Sequence, residues 1–146
     1  MPKRFTLGEA ERLLPEIEKL IREAVSLKAQ YAETEEALQA ISHRVTMQGG
    51  MMVDRDAVLR GRAARDRHGE RLKAAIEEIQ EYGCLIKDLD IGLIDFPTLF
   101  RGREVYLCWK LGESGISHWH GVDEGFSGRK PIDPDFLENH SGDLTN

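Results

Sequence analysis

Ile79-Gln80-Glu81-Tyr82-Gly83-Cys84-Leu85-Ile86-Lys87 is the stretch that decides the fold, because the period of the apolar residues changes within it. Before it, apolar side chains recur every three or four positions, as on one face of a helix. After it they come in short runs broken by glycine, aspartate and proline, as in strands and turns. Gly83 stands where a helix ends on a C′ glycine, the residue that tolerates a left-handed backbone. The change predicts an α+β chain: a long antiparallel helical hairpin over 5–82, a β-rich module over 84–132, and a loose polar tail over 133–146.

Thr6-Leu7-Gly8-Glu9 opens the first helix as a capping box, in which hydroxyl and carboxylate each bond the other residue's amide. The stripe Ala10, Leu13, Leu14, Ile17, Leu20, Ile21, Ala24, Val25, Tyr31, Leu38, Ile41 and Val45 follows. Taken to Thr46, this helix is roughly 60 Å long at about 1.5 Å per residue. Pro15 lies inside it and predicts a kink near Glu11–Pro15, since it lacks an amide hydrogen. Gly49-Gly50 marks a turn, and Asp54 or Asp56 is placed to cap a second helix with stripe Val58, Leu59, Ala63, Leu72, Ala75, Ile76, Ile79 and Tyr82. Two helices joined by a short loop pack antiparallel. Two alone leave apolar stripe uncovered, which predicts a homodimer of hairpins with a coiled-coil-like seam; the alternative is that the C-terminal module folds back along the hairpin and covers it within one chain.

Beyond Gly83 the sequence predicts a strand at Cys84–Lys87, a turn at Asp88–Gly92, and a strand Leu93–Phe96 closed by Pro97. Arg103–Leu111 alternates with Val105, Leu107, Trp109 and Leu111 on one face, and Glu104, Tyr106, Cys108 and Lys110 on the other. Gly112-Glu113-Ser114-Gly115 reads as a turn and Ile116–His120 as the return strand.

The 146 residues suit one domain. Charge is uneven: residues 83–146 hold 6 Lys/Arg against 11 Asp/Glu, which accounts for nearly all of the net −6. That balance disfavours nucleic acid as a partner. Arg55, Arg60, Arg62, Arg65 and Arg67 are interleaved with acids and read as a solvated helix face. No run of apolar residues is long enough for a membrane span. With two cysteines and no export signal, the reading is a cytoplasmic chain with reduced thiols.

Two groupings carry candidate chemistry. His118 and His120 flank Trp119, so in a strand both imidazoles leave one face and could chelate a divalent transition metal such as zinc, iron or nickel. Cys108, Asp95 or Glu124 could add a third ligand. With Cys108 opposite His118 across the hairpin, the thiol shares that face. With Trp109 opposite His118, Cys108 pairs with Trp119 instead. The turn sequence leaves both registers open. The second grouping is a polar ligand site drawn from Asp88, Asp90, Asp95, Glu113, His120 and Arg129. Its carboxylates suit a hard cation, although Asp-rich turns also satisfy local amides. The glycine-rich loop 121–131 carries Arg129 and Lys130 but lacks phosphate-loop spacing.

Lys87-Asp88-Leu89-Asp90, Gly92-Leu93-Ile94-Asp95-Phe96-Pro97, Gly102-Arg103, Leu107-Cys108-Trp109, Gly112-Glu113, Trp119-His120, Gly125-Phe126 and Gly128-Arg129 occur in an order that resembles the prokaryotic family "domain of unknown function 2203". The resemblance runs from about Phe5 to Ile132 and implies no particular activity, substrate or cofactor. This chain departs from the pattern at His118, where an aromatic residue is more frequent. Whether the protein is an enzyme, or an interaction module built on the hairpin, is left open by the sequence.

Overall fold

The computed structural model describes residues 3–47 and 55–143. The elements run α1 (Leu7–Met47), α2 (Arg55–Glu81), β1 (Leu85–Asp88), β2 (Leu93–Phe100), β3 (Arg103–Lys110), β4 (His118–Gly121), a 3-10 turn at Phe126–Gly128, β5 (Lys130–Pro131), α3 (Pro134–Asn139) and β6 (His140–Ser141). Long helices packed on each other and followed by a small antiparallel sheet make the protein α+β. The Gly49-Gly50 break and Asp54 lie outside the described residues. Asp56 sits within the first turn of α2.

The capping box forms as read: the Glu9 amide donates to the Thr6 hydroxyl at 3.1 Å and the Thr6 amide to the Glu9 carboxylate at 2.9 Å. α1 continues through Pro15. Its near half buries Ala10, Leu14, Ile17, Leu20, Ile21, Ala24 and Leu27. Of these, Ala10, Leu14, Ile17, Leu20 and Ile21 share a core with Ile79 of α2 and with Ile94, Phe96, Val105, Leu107 and Trp109 of the sheet. The far half has no such cover: among the described residues none from 28 to 74 is buried. Gly61 and Gly69 let α2 come close to Leu38 and Tyr31 there, since an added Cβ would lie 3.0 Å and 3.2 Å from those side chains.

α2 ends as predicted. Gly83 has φ 99° and its amide donates to the Gln80 carbonyl at 2.9 Å. The sheet order is β1-β2-β3-β4-β5, all antiparallel, with β6 against β2. β2 is longer than the sequence reading had it, passing through Pro97 to Phe100. The physical reason is the edge Pro97 faces. Its carbonyl accepts from the Phe5 amide at 2.7 Å, away from β3, so its missing N–H costs no ladder bond. The return strand begins at His118 rather than Ile116. The Ile116 amide instead donates to the Glu11 carboxylate of α1 at 3.1 Å.

Residues 133–143, read from sequence as a loose polar tail, are a folded cover. Asp133 caps α3 by accepting from the Phe136 amide at 2.8 Å. Phe136 is fully buried and stacks on Phe100 and Trp119, with ring centroids 5.0 Å apart in each case. His140 donates through Nδ1 to the Leu137 carbonyl and accepts at Nε2 from the Leu7 amide, satisfying one free donor at the start of α1. The misreading has a simple cause: one aromatic residue anchors an otherwise polar segment.

Two predictions follow from this packing. Phe136→Ala should cost about 3–5 kcal/mol of unfolding free energy, whereas Phe126→Ala, at a ring 42% exposed, should cost far less; urea unfolding of both variants compares them. Burial pushes the Cys84 thiol up from 9.0 to about 12. The unfolded thiol therefore ionises first, and the stability tied to it is complete below about pH 9 and lost on the way to about pH 12. The slope is at most about 1.4 kcal/mol per pH unit. Cys84→Ala should flatten the fall of unfolding free energy over that window, whatever its offset at neutral pH.

Candidate metal centre

The outer face of the sheet, turned away from the helices, would be solvated in a simple two-layer design. Here it is not. Alternation along β2, β3 and β4 puts Asp95, Cys108, His118 and His120 on that face, and Pro97 and Tyr106 beside them. Asp95 and Cys108 have no exposed surface, His120 is 3% exposed and Tyr106 is 9% exposed.

The register follows from the β2–β3 turn. Arg101 and Gly102 both take positive φ, 52° and 79°, the feature of a two-residue type I′ hairpin turn. Arg101 is held there by its amide donating to the Asn139 carbonyl and by its pairing with Asp135 at 2.5 Å. With Phe100 opposite Arg103, Asp95 falls opposite Cys108. Across β3–β4, Cys108 falls opposite His118 and Tyr106 opposite His120, which decides between the two registers the sequence left open.

The donors converge. A carboxylate oxygen of Asp95, the Cys108 sulfur and a ring nitrogen of His120 all lie within 4.8 Å of one another. His120 Nε2 is 3.0 Å and 3.1 Å from the two Asp95 oxygens. Its Nδ1 donates to the Gly121 carbonyl at 2.8 Å. That bond fixes the ring and leaves Nε2 aimed at the carboxylate, the orientation a metal-ligating histidine is given by its outer partner. The Cys108 thiol lies beside the Asp95 carboxyl group. Burial raises the Asp95 carboxyl above the ordinary value, opposed by His120, Cys108 and Lys87. Burial, reinforced by the Asp95 charge, pushes the Cys108 thiol up to about 12. The Lys87 ammonium lies over the Tyr106 ring, whose edge meets His120.

The other residues singled out in the sequence are elsewhere. Asp88 accepts from the Asp90 amide, and Asp90 pairs with Lys28 of α1, so neither joins Asp95. Glu113 receives Arg129 Nη2 at 2.9 Å and the Lys110 amide at 2.6 Å. Arg129 also reaches the Cys108 carbonyl at 3.4 Å and lies over Phe126, bordering the cluster without entering it. Glu124 is exposed, bound to Lys130 and to the Gly121 amide. His118 is half-buried, with Nδ1 2.9 Å from the Ser117 hydroxyl, outside the three-donor group in this rotamer. Tyr106, which shapes the site, was not singled out. Its signal was available in the alternation that put it on the Cys108 face.

A helical hairpin carrying an antiparallel sheet, with an aspartate, a cysteine and a histidine buried together on the far side of that sheet, is the class of protein these features define. The chain belongs to the uncharacterized conserved protein family DUF2203, which matches residues 3–132. Neither a curated protein nor a solved structure matches it. No helix among the described residues is long and apolar enough to cross a membrane.

Proposed function

We propose that the β-module binds one divalent transition-metal ion through Asp95, Cys108 and His120. The observation that carries this reading is the convergence of three different buried donors from three adjacent strands, with His120 Nδ1 tied to the Gly121 carbonyl. Carboxylate, thiolate and imidazole together suit zinc or a neighbouring first-row ion, and not magnesium or calcium, which prefer oxygen donors. A thiol nucleophile is the competing use of these groups. It needs the histidine between sulfur and carboxylate, so that the base takes the thiol proton. Here His120 Nε2 is engaged by the Asp95 carboxylate rather than by the thiol, and burial and the Asp95 charge push the thiol up to about 12. A metal reading uses all three groups and also suits a reducing, cytoplasmic setting, where Cys108 stays free.

Untagged protein should bind about one zinc, nickel or iron(II) ion per chain, measured by elemental analysis after desalting, and should melt at a higher temperature when loaded. Cys108→Ser and His120→Gln should each lose the ion. Since Cys108 must give up its proton to bind, loading should be tighter at about pH 8 than at about pH 6. Wild-type protein that takes up none of these ions, and whose melting they leave unmoved, would remove the reading.

A second property concerns the hairpin. The stretch from 28 to 74 with no buried described residue favours self-association of the far halves of α1 and α2. Light scattering on a sizing column should give twice the 16.5 kDa chain mass, and Leu38→Glu with Ile41→Glu should return it to one. A wild-type monomer at micromolar concentration rules this association out.

A further inference from the structure

Three protein donors leave a four-coordinate ion one position short. We infer that His118 fills it, so that the centre is a closed Asp-Cys-His-His site of structural type; this rests on the metal reading of Asp95, Cys108 and His120. His118 is directly opposite Cys108 across the β3–β4 ladder. Facing residues of an antiparallel pair carry their Cβ atoms about 4.5–5.5 Å apart. It also stands two positions before His120 on one strand, so both imidazoles leave the same face of the sheet. Paired histidines at that spacing can hold one ion from adjacent pleats.

The ring is free to move. It is half-buried, and among the described residues its side chain hydrogen-bonds only the Ser117 hydroxyl, at an exposed position. Water can replace that hydroxyl at little cost, whereas Asp95, Cys108 and His120 are locked by burial and by their bonds to one another. The ion would thus meet three preset donors and draw in a fourth. The groups facing this position from neighbouring elements agree with a closed site. Pro131 lies opposite His118 on β5 and offers no N–H, and Arg129 is engaged with Glu113. The nearby open groove of about 600 Å³, lined by Phe100, Arg103, Trp119, Val122, Glu124 and Lys130, is lined by none of the three donors. A closed centre holds strands together and presents no vacant position for a substrate.

Cobalt(II) is the probe, because its visible bands report coordination number and its near-ultraviolet band reports thiolate ligation. Wild-type protein titrated with cobalt should give the thiolate band and four-coordinate visible bands that azide does not alter. H118Q should stay folded and keep the thiolate band, bind cobalt more than about tenfold more weakly, as even lost outer partners cost about 10–100-fold, and change its visible bands when azide is added. Equal affinity in the two proteins, or an azide-sensitive wild type, overturns the assignment of His118 while leaving the three-donor reading in place. A wild type without a thiolate band overturns both.

Discussion

The two-residue turn at Arg101-Gly102 is the constraint on which the site depends. A strand alternates its faces with period two, so a slip of one residue between β2 and β3 would send Asp95 to the other side of the sheet from Cys108. The turn forbids that slip because both residues must hold positive φ, a state that arginine adopts only under restraint. The restraint comes from the C-terminal segment, through Asn139 and Asp135. Residues more than thirty positions beyond the turn therefore help set the register that brings a carboxylate to a thiol.

Given that register, electrostatics dictates the rest. An ionised carboxylate with no exposed surface is costly unless partners replace its water. Asp95 finds an imidazole on one side and a thiol on the other. Both His120 nitrogens are occupied, Nδ1 by a backbone carbonyl that can only accept and Nε2 by the Asp95 carboxyl group. An ion would displace the proton between ring and carboxyl and also the thiol proton, which burial holds firmly.

Much of the fold was legible because the responsible signals are local. The capping box, the Gly83 helix end and the alternation of β3 each depend on residues within one turn or one strand. What was not legible depends on residues distant in sequence. Pro97 reads as a strand end until Phe5 is seen docking on its free edge. The tail reads as loose until Phe136 is found stacked between Phe100 and Trp119. The candidate site was half legible: Cys108 and Asp95 were read as alternative third ligands beside His120, since nothing in the β3–β4 turn fixed which residue faced His118.

The acidity of the C-terminal third shows how far composition alone reaches toward a candidate site. Its excess of carboxylates suggests a cation site, with Asp88 and Asp90 the most clustered. In the folded protein those acids are spent locally: Asp88 on a turn amide, Asp90 on Lys28, Glu104 on Arg4, Glu113 on Arg129, Glu124 on Lys130, Asp133 on a helix cap and Asp135 on Arg101. Exposed pairs of this kind contribute little each and are satisfied by water when broken. Asp95 differs in the one respect that bears on chemistry, because water cannot stand in for its partners. A cluster of carboxylates in sequence marks a solvated surface, whereas a single carboxylate buried between a thiol and an imidazole has no role in solubility and only two plausible uses, to hold a proton or to hold a metal.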